Sequence, residues 1–499
     1  MRVLYYNWVD YLDDEGRGGG VTMYQQALMQ AWGADPEVEA LFLSSGLSYD
    51  LRRKAPRWEA LRHGPALDRA KRFEIVNSGV LAPAHHSFGN AAQLHHAPTR
   101  QAFYDFIDAQ GPFDVIHFNN LEGLPADVLE LKSRFPETRV ILSLHNYYPV
   151  CPQVNLWQRE RAHCGDFEGG ASCPGCLPNK HDERLMRIAN AIAYHLKSAG
   201  IRPGTRVFDI LFRQSLRLGG RAARAATWLR GKMRGRPAGA DVAPQVTVQA
   251  GAGDFAARRA AMVAGINAHC DLVLCVSDRV RQIAASYGIA PDLLRTSYIG
   301  SAHAGKFEQT RPAASVLSDQ QTLKLAFLGY MRQDKGFFFL LDALEALPDD
   351  LAARIEVLVA ARRGPPDAMA RLAALRGKLA AVTHVDGYTP DGLDGVLDGT
   401  GLGVIPVLWE DNLPQVAIEM HARHIPLLTS DLGGARELGR NPDLVFAAGD
   451  TSSFAARLRA VLEGRVDLDA YWAGARAPTT VAAHLASLKR LYAGDLSPD

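Results

Sequence analysis

The 499-residue chain has no apolar run near the roughly 20 residues a helix needs to cross a bilayer. Its opening, "MRVLYYNWVD", lacks the basic start, apolar stretch and small-residue cleavage site of a secretory leader, so a cytoplasmic protein is expected. Charge of one sign is missing too. The 55 basic and 54 acidic residues leave a formal net charge of +1, which speaks against a surface built to neutralise nucleic-acid phosphates. No short solenoid repeat is present. Cysteine is scarce, six residues in all, yet Cys151, Cys164, Cys173 and Cys176 fall in one segment as C-x12-C-x8-C-x2-C, with His163 and His181 nearby. In a reducing compartment that spacing points to metal before disulfides. Four thiolates could close a tetrahedral structural zinc site and pin a loop that buries little apolar surface. Reduced, half-buried thiols or a redox-active "CPGC" pair are the alternatives. Cys270 and Cys275 sit in an apolar stretch and read as core.

The length asks for two domains. In the first half "RVLYYNWV", "EALFLSS", "DVIHFNN" and "RVILSLHNY" read as buried strands, with the glycine-rich "GRGGGVTMYQQALMQAW" feeding a helix after the first. The second half repeats the pattern in "LKLAFLGYM", "IEVLVAAR", "VTHVDGY", "LGVIPVLW", "IPLLTSD" and "DLVFAAG". Alternation of this kind predicts α/β architecture with two parallel sheets. The expected division is 1–300, carrying the cysteine cluster (151–176) and a basic insertion at about 180–260, then 301–480, then a terminal helix over 481–499. Within the insertion Phe208, Leu211, Phe212 and Leu216 recur at near-helical spacing beside arginines, as on an interfacial helix. A helix packing that stripe on its own domain is the bland alternative. The following "GRPAGADVAPQ" reads as a loop.

Chemistry concentrates in "LWEDNLPQVAIEM", residues 408–420. The strand "LGVIPVLW" is expected to end at Trp409. Asn412 is placed to cap a helix, with Pro414 in its first turn and Gln415 completing a capping box. A helix tip at the carboxyl end of a parallel strand presents free N–H groups and a positive dipole to phosphate. Glu419, about two turns in, tilts back toward that tip, and Asp411 reaches it from the loop. Carboxylates accept hydroxyl donors, so a phosphate flanked by sugars fits, as in a nucleotide sugar. A solvated loop acid and a surface helix acid are the alternative. "LAFLGYMRQDKGFFFLLDAL" adds a turn at Gly329 followed by Arg332 and Lys335, cations able to hold a diphosphate as it leaves.

These segments resemble the large group of retaining glycosyltransferases with the GT-B fold often called family 4. "LGYMRQDKGFFFLLDAL" is similar to that family's G-x5-KG motif and "DNLPQVAIE" to its acid-x7-Glu motif. "DLVLCVSDRVRQIAASYGI", "TSYIG", "VTHVDGY" and "TSDLGGARELG" keep the family's order. "RGGGVTMYQQAL" resembles its glycine loop and "SLHNYYPVCP" its histidine loop. The resemblance implies two Rossmann-like domains facing across a cleft, with the terminal helix crossing back to the N-terminal domain. The N-terminal domain would bind the acceptor and the C-terminal domain the donor. It implies ribose contact by Glu419, donor-sugar contact by Asp411, and diphosphate contact by Arg332, Lys335, Gly19 and Gly20, with Gly329, Asn412 and Leu413 completing the expected donor-binding set. His145 would lie near the scissile bond, although a histidine capping its own loop is an equal alternative. Two positions depart from the family: Asp411 stands for the usual Glu, with Glu410 as a possible substitute, and Tyr330 stands where the arginine usually follows the glycine.

The implied activity is sugar transfer from a nucleotide-diphosphate sugar to a glycan or lipid-linked glycan, with retention and without a catalytic metal, as in polysaccharide or glycoconjugate biosynthesis. The basic insertion adds an expected peripheral contact with the inner membrane surface. A catalytically silent relative acting as an assembly subunit, and an epimerase or phosphorylase on the same fold, are the rivals.

Overall fold

A computed structural model describes residues 1–177, 182–218 and 250–496. The chain forms two compact units: Met1–Ser143, Tyr147–Val154 and Phe167–Val273 make the first, while Leu144–Asn146, Asn155–Asp166 and the chain from Leu274 onward make the second. His181, most of the basic block and the "GRPAGADVAPQ" segment lie outside the described residues.

In the first unit β1 (Arg2–Tyr6), β2 (Glu39–Ser48), β3 (Arg57–Ala60), β4 (Arg72–Val76), β5 (Val115–Phe118) and β6 (Arg139–Leu144) follow the order β6-β5-β1-β2-β4-β3. All pair in parallel except β3, which runs antiparallel to β4. The four apolar runs read from this half are strands β1, β2, β5 and β6. β3 and β4 are additions whose charges hide them. In β4, Arg72 is buried against Asp10 (Nη2 to Oδ1 2.7 Å), and Glu74 accepts from Ser48 and lies 3.1 Å from His63. Pairing lets charged side chains occupy a sheet interior that apolar periodicity alone would not suggest. After β1 the chain reaches Gly18, where a Cβ would lie 2.6 Å from Val9 Cγ1, and the helix Gly19–Gly33 begins.

The second unit holds β7 (Leu323–Gly329), β8 (Ile355–Ala361), β9 (Ala381–Val385), β10 (Leu402–Ile405), β11 (Leu427–Ser430) and β12 (Val445–Phe446), all parallel, in the order β9-β8-β7-β10-β11-β12. Each corresponds to one of the runs read from the sequence. Leu325, Phe327, Val357 and Val359 from the sheet meet Phe337, Leu341 and Leu344 of the helix Phe337–Glu345 in one apolar core. From β7 the chain proceeds to one side of the sheet, and from β10 to the other. That reversal leaves a crevice outside the carboxyl ends of two neighbouring strands, the place where open parallel sheets bind ligands.

The loops entering this crevice are pinned by one close approach. Gly336 takes φ +73°, and a Cβ there would sit 1.6 Å from the Pro406 carbonyl oxygen. Leu408 N–H donates to the Asp334 carbonyl at 3.1 Å. Strand β10 stops at Ile405, four residues before the expected end at Trp409, because Pro406 has no N–H for the ladder. Gly336→Ala should therefore cost about 2–4 kcal/mol of stability by strain and displacement. Gly395→Ala, in open helical space, should be neutral or slightly stabilising. Urea unfolding of both variants checks this; equal midpoints would refute it.

Candidate functional site

Three loops of the second unit meet at the crevice. The turn after β7 delivers Gly329 (φ +122°), whose nearest neighbour to a built Cβ is Val416 Cγ1 at 3.9 Å, in the first turn of the helix Gln415–His421. Six residues on, Lys335 Nζ lies 2.6 Å from Asp411 Oδ2 and 5.0 Å from the centroid of the Trp409 ring. The β7 turn and the β10 loop thus present a cation and an acid together. Arg332 is bound instead within its own turn, donating to both Asp334 oxygens at 2.9 and 3.0 Å, with its side chain 60% exposed.

The third loop, from Asp431 to Arg436, locks the acids in place. Gly433 N–H donates to Glu410 Oε2 at 2.9 Å and Gly434 N–H to the Asp411 carbonyl at 2.9 Å. Both glycines are required by contact: a Cβ on Gly433 would lie 2.4 Å from Asp411 O, and one on Gly434 2.2 Å from Asn412 O. Glu410 is 1% exposed and takes a two-pronged ion pair from Arg279, whose Nε lies 2.9 Å from Oε2. Burial raises the Glu410 carboxyl, but the Arg279 guanidinium and the Gly433 N–H outweigh it and hold the group below its ordinary value. Glu410 is therefore committed to structure, and Asp411 is the acid that faces Lys335.

Asn412 does not cap the helix. Pro414 occupies the cap position without a side-chain bond, and Asn412 Nδ2 donates to the Leu144 carbonyl at 3.4 Å. Asn412 Oδ1 and Trp409 Nε1 are both buried without a partner among the described residues, one acceptor and one donor for a ligand to meet. Leu413 is buried beside them.

Glu419 is buried on the helix, as its apolar neighbours imply. Tyr388 Oη donates to its Oε2 at 3.0 Å, and His303 Nε2 stands 3.7 Å from Oε1. Burial first, then the Glu419 charge, raises the Tyr388 phenol, which stays a donor at every physiological pH. Arg279, His303, Tyr388 and Gly433 were not singled out from sequence. The nearest signals were that "VSDRV", "VTHVDGY" and "TSDLGG" recur in the resemblance.

Gly19 and Gly20 open the first unit's helix, with Gly19 at φ +56° and open space beside it. The cysteines of the sequence cluster fall in both units, Cys151, Cys173 and Cys176 in the first and Cys164 in the second. Cys151, Cys173 and Cys176 are buried and Cys164 is half-buried, but among the described residues no three cysteines bring their sulfurs within 4.8 Å of one another. Cys176 donates to Gln153 Oε1 and Cys164 to the Asp166 carbonyl, each at 3.5 Å. The group that does fall within that range is Asp13, Asp14 and Glu15, partly engaged by Arg17 and Lys197.

His145 retains some surface, yet its surroundings exclude enough water that desolvation, aided by His484, pushes the imidazole down to about 3. Desolvation likewise brings His421 and His484 to about 4. These rings are neutral at pH 7, so His145 can offer a hydrogen bond but no charge. An unfolded chain would protonate all three near 6.5. Folded-state values below unfolded ones give stability that is full above pH 6.5 and lost as pH falls toward 4. Urea midpoints should drop between pH 7 and pH 5, less so in His484→Gln; a flat profile would contradict this.

Residues 322–464 match the family model of glycosyl transferases group 1. No curated protein sequence matches the chain. Among solved structures, a sucrose-phosphate synthase from Thermosynechococcus elongatus aligns with TM-score 0.52 and 13% identity, covering 99% of this chain and 98% of that one. Anabaena HepE, solved with UDP, gives 0.54 and 12% over 99% and 100%. An α,α-trehalose-phosphate synthase (UDP-forming) from Burkholderia xenovorans, with glucose-6-phosphate, gives 0.52 and 12% over 99% and 100%. At such identities the likeness shows the fold, two parallel-sheet domains of the GT-B kind. The stretch that matches the glycosyl transferases group 1 model, residues 322–464, is the one that carries Lys335, Asp411 and Glu419.

Proposed function

We propose that the second unit binds a nucleoside-diphosphate sugar and that the enzyme transfers its sugar, with retention, to a glycan or lipid-linked glycan. The observation that carries this reading is the meeting of Lys335 and Asp411 at the strand reversal, on the loop that leads into Glu419. A diphosphate would draw the Lys335 ammonium from Asp411, freeing that carboxylate to accept sugar hydroxyls. Glu419 would take the ribose hydroxyls, with Tyr388 and His303 holding it in place. Arg332, released from Asp334, would add charge to the diphosphate. That HepE from Anabaena was solved with UDP and with UDP-glucose favours a UDP-sugar as the first donor to try.

For the transfer step, the acceptor oxygen bonds to the anomeric carbon on the face the diphosphate leaves. The acceptor proton passes to a leaving phosphate oxygen, and Lys335 stabilises the charge that develops there. No side chain is required as a covalent nucleophile, and neutral His145 would orient a hydroxyl. No resident metal enters this scheme.

Product analysis with a panel of nucleotide sugars tests the proposal. Lys335→Ala should reduce turnover by about 10^2-fold. Glu419→Gln should weaken donor binding more than it lowers kcat, because ribose contact is the same in ground and transition states. Binding without any turnover would assign the chain to a silent assembly subunit. An epimerised donor or a sugar phosphate would overturn transfer.

A further inference from the structure

Of the twelve exposed large apolar side chains among the described residues, six fall within one stretch of the first unit: Leu185, Ile188, Val207, Ile210, Leu216 and Leu218. The helix Glu183–Ser198 is fixed to its unit through part of its surface. Arg187 donates to the Ser78 and Gly79 carbonyls at 2.8 and 2.7 Å, Met186 packs on Tyr49 and Leu81, and Tyr194 Oη bonds to Glu59. Leu185 and Ile188, three residues apart, remain outside that contact.

The next helix, 206–218, is fastened more lightly. It buries Phe208 and half-buries Leu211, Phe212 and Ser215, a single stripe in which the two phenyl rings stack 5.6 Å apart. Val207, Ile210 and Leu218 lie off this stripe in solvent, where a helix made only for water would carry polar residues. Five of the seven exposed charges around them are basic, Arg184, Arg202, Arg206, Arg213 and Arg217, beside the two exposed acids Asp182 and Asp209. Against seven Lys and Arg in residues 182–218 stand three acids, Asp182, Glu183 and Asp209, in a chain otherwise balanced in charge.

We propose that these two helices dock the protein on a bilayer surface containing anionic phospholipid, the apolar side chains entering the acyl boundary and the arginines meeting headgroup phosphates. Apolar residues flanked by arginine on a helix match an interface between hydrocarbon and anionic headgroups. A second copy of the chain is a poorer occupant, since a two-fold contact would set this cationic surface against itself. The docking is in the plane of the membrane, because no described helix is long and apolar enough to cross it. It does not depend on the catalytic reading, and no donor is needed to see it.

Flotation of the full-length protein with vesicles of phosphatidylcholine, with and without phosphatidylglycerol, tests it. Binding is expected only to the anionic vesicles and should fall as salt shortens the Debye length. Arg213→Gln and Arg217→Gln should each lower the partition constant roughly fivefold. Val207→Asp with Ile210→Asp should abolish flotation while thermal unfolding stays unchanged, and Leu67→Asp, at an exposed apolar site elsewhere, should leave flotation intact. Absence of wild-type flotation on anionic vesicles, or undiminished flotation of the double variant, would overturn the proposal. So would light scattering that finds a dimer which the same two changes dissociate.

Discussion

Contact between the Gly336 backbone and the Pro406 carbonyl is the constraint on which the second unit's site depends. It joins the loop after β7 to the loop after β10 at the point where the sheet reverses direction. Without it Lys335 and Asp411, 76 residues apart in sequence, would have no reason to meet at 2.6 Å. A side chain at 336 cannot be accommodated, and Pro406 ends the strand that would otherwise carry the chain past the crevice. Two residues chosen for backbone reasons therefore set the position of two chosen for charge.

Around this point the protein keeps its acids in distinct states. Glu410 is paid for in full by Arg279 and the Gly433 N–H, and its burial makes the loop rigid. Asp411 has a partner that can leave, because Lys335 is a flexible point charge able to follow a phosphate. Glu419 is held by a phenol and near an imidazole, neither of which neutralises it as a guanidinium would. Fixed, exchangeable and weakly held carboxylates on one short segment suit a ligand that places hydroxyls and phosphates side by side. Asn412 Oδ1 and Trp409 Nε1, buried without partners among the described residues, add directional contacts of the kind a sugar or ribose can satisfy.

The central strands β7, β8 and β10 of the second unit were legible because they are apolar runs buried on both faces. Lys335, Asp411 and Glu419 were legible because helix tilt and loop position constrain where such residues can point. What the sequence hid shares one cause, long-range pairing. Arg72 with Asp10 disguised a strand, and Arg279 with Glu410 lies 131 residues apart, beyond any local pattern. Asn412 has the composition of a helix cap, yet it bonds to the Leu144 carbonyl because Pro414 already shapes the helix entry. The cysteines had metal-like spacing, but spacing along a loop does not decide whether sulfurs converge. The same limit applies to the insertion: its periodicity suggested an apolar stripe, but only the fold separates the stripe packed inward from the side chains left outside.

A crystal structure of the protein with a nucleoside diphosphate bound would test the central claim most directly. The diphosphate should lie within hydrogen-bond reach of Lys335 Nζ, with Asp411 released from its ion pair and the ribose hydroxyls on Glu419. A diphosphate bound elsewhere, with the Lys335–Asp411 pair intact, would contradict it.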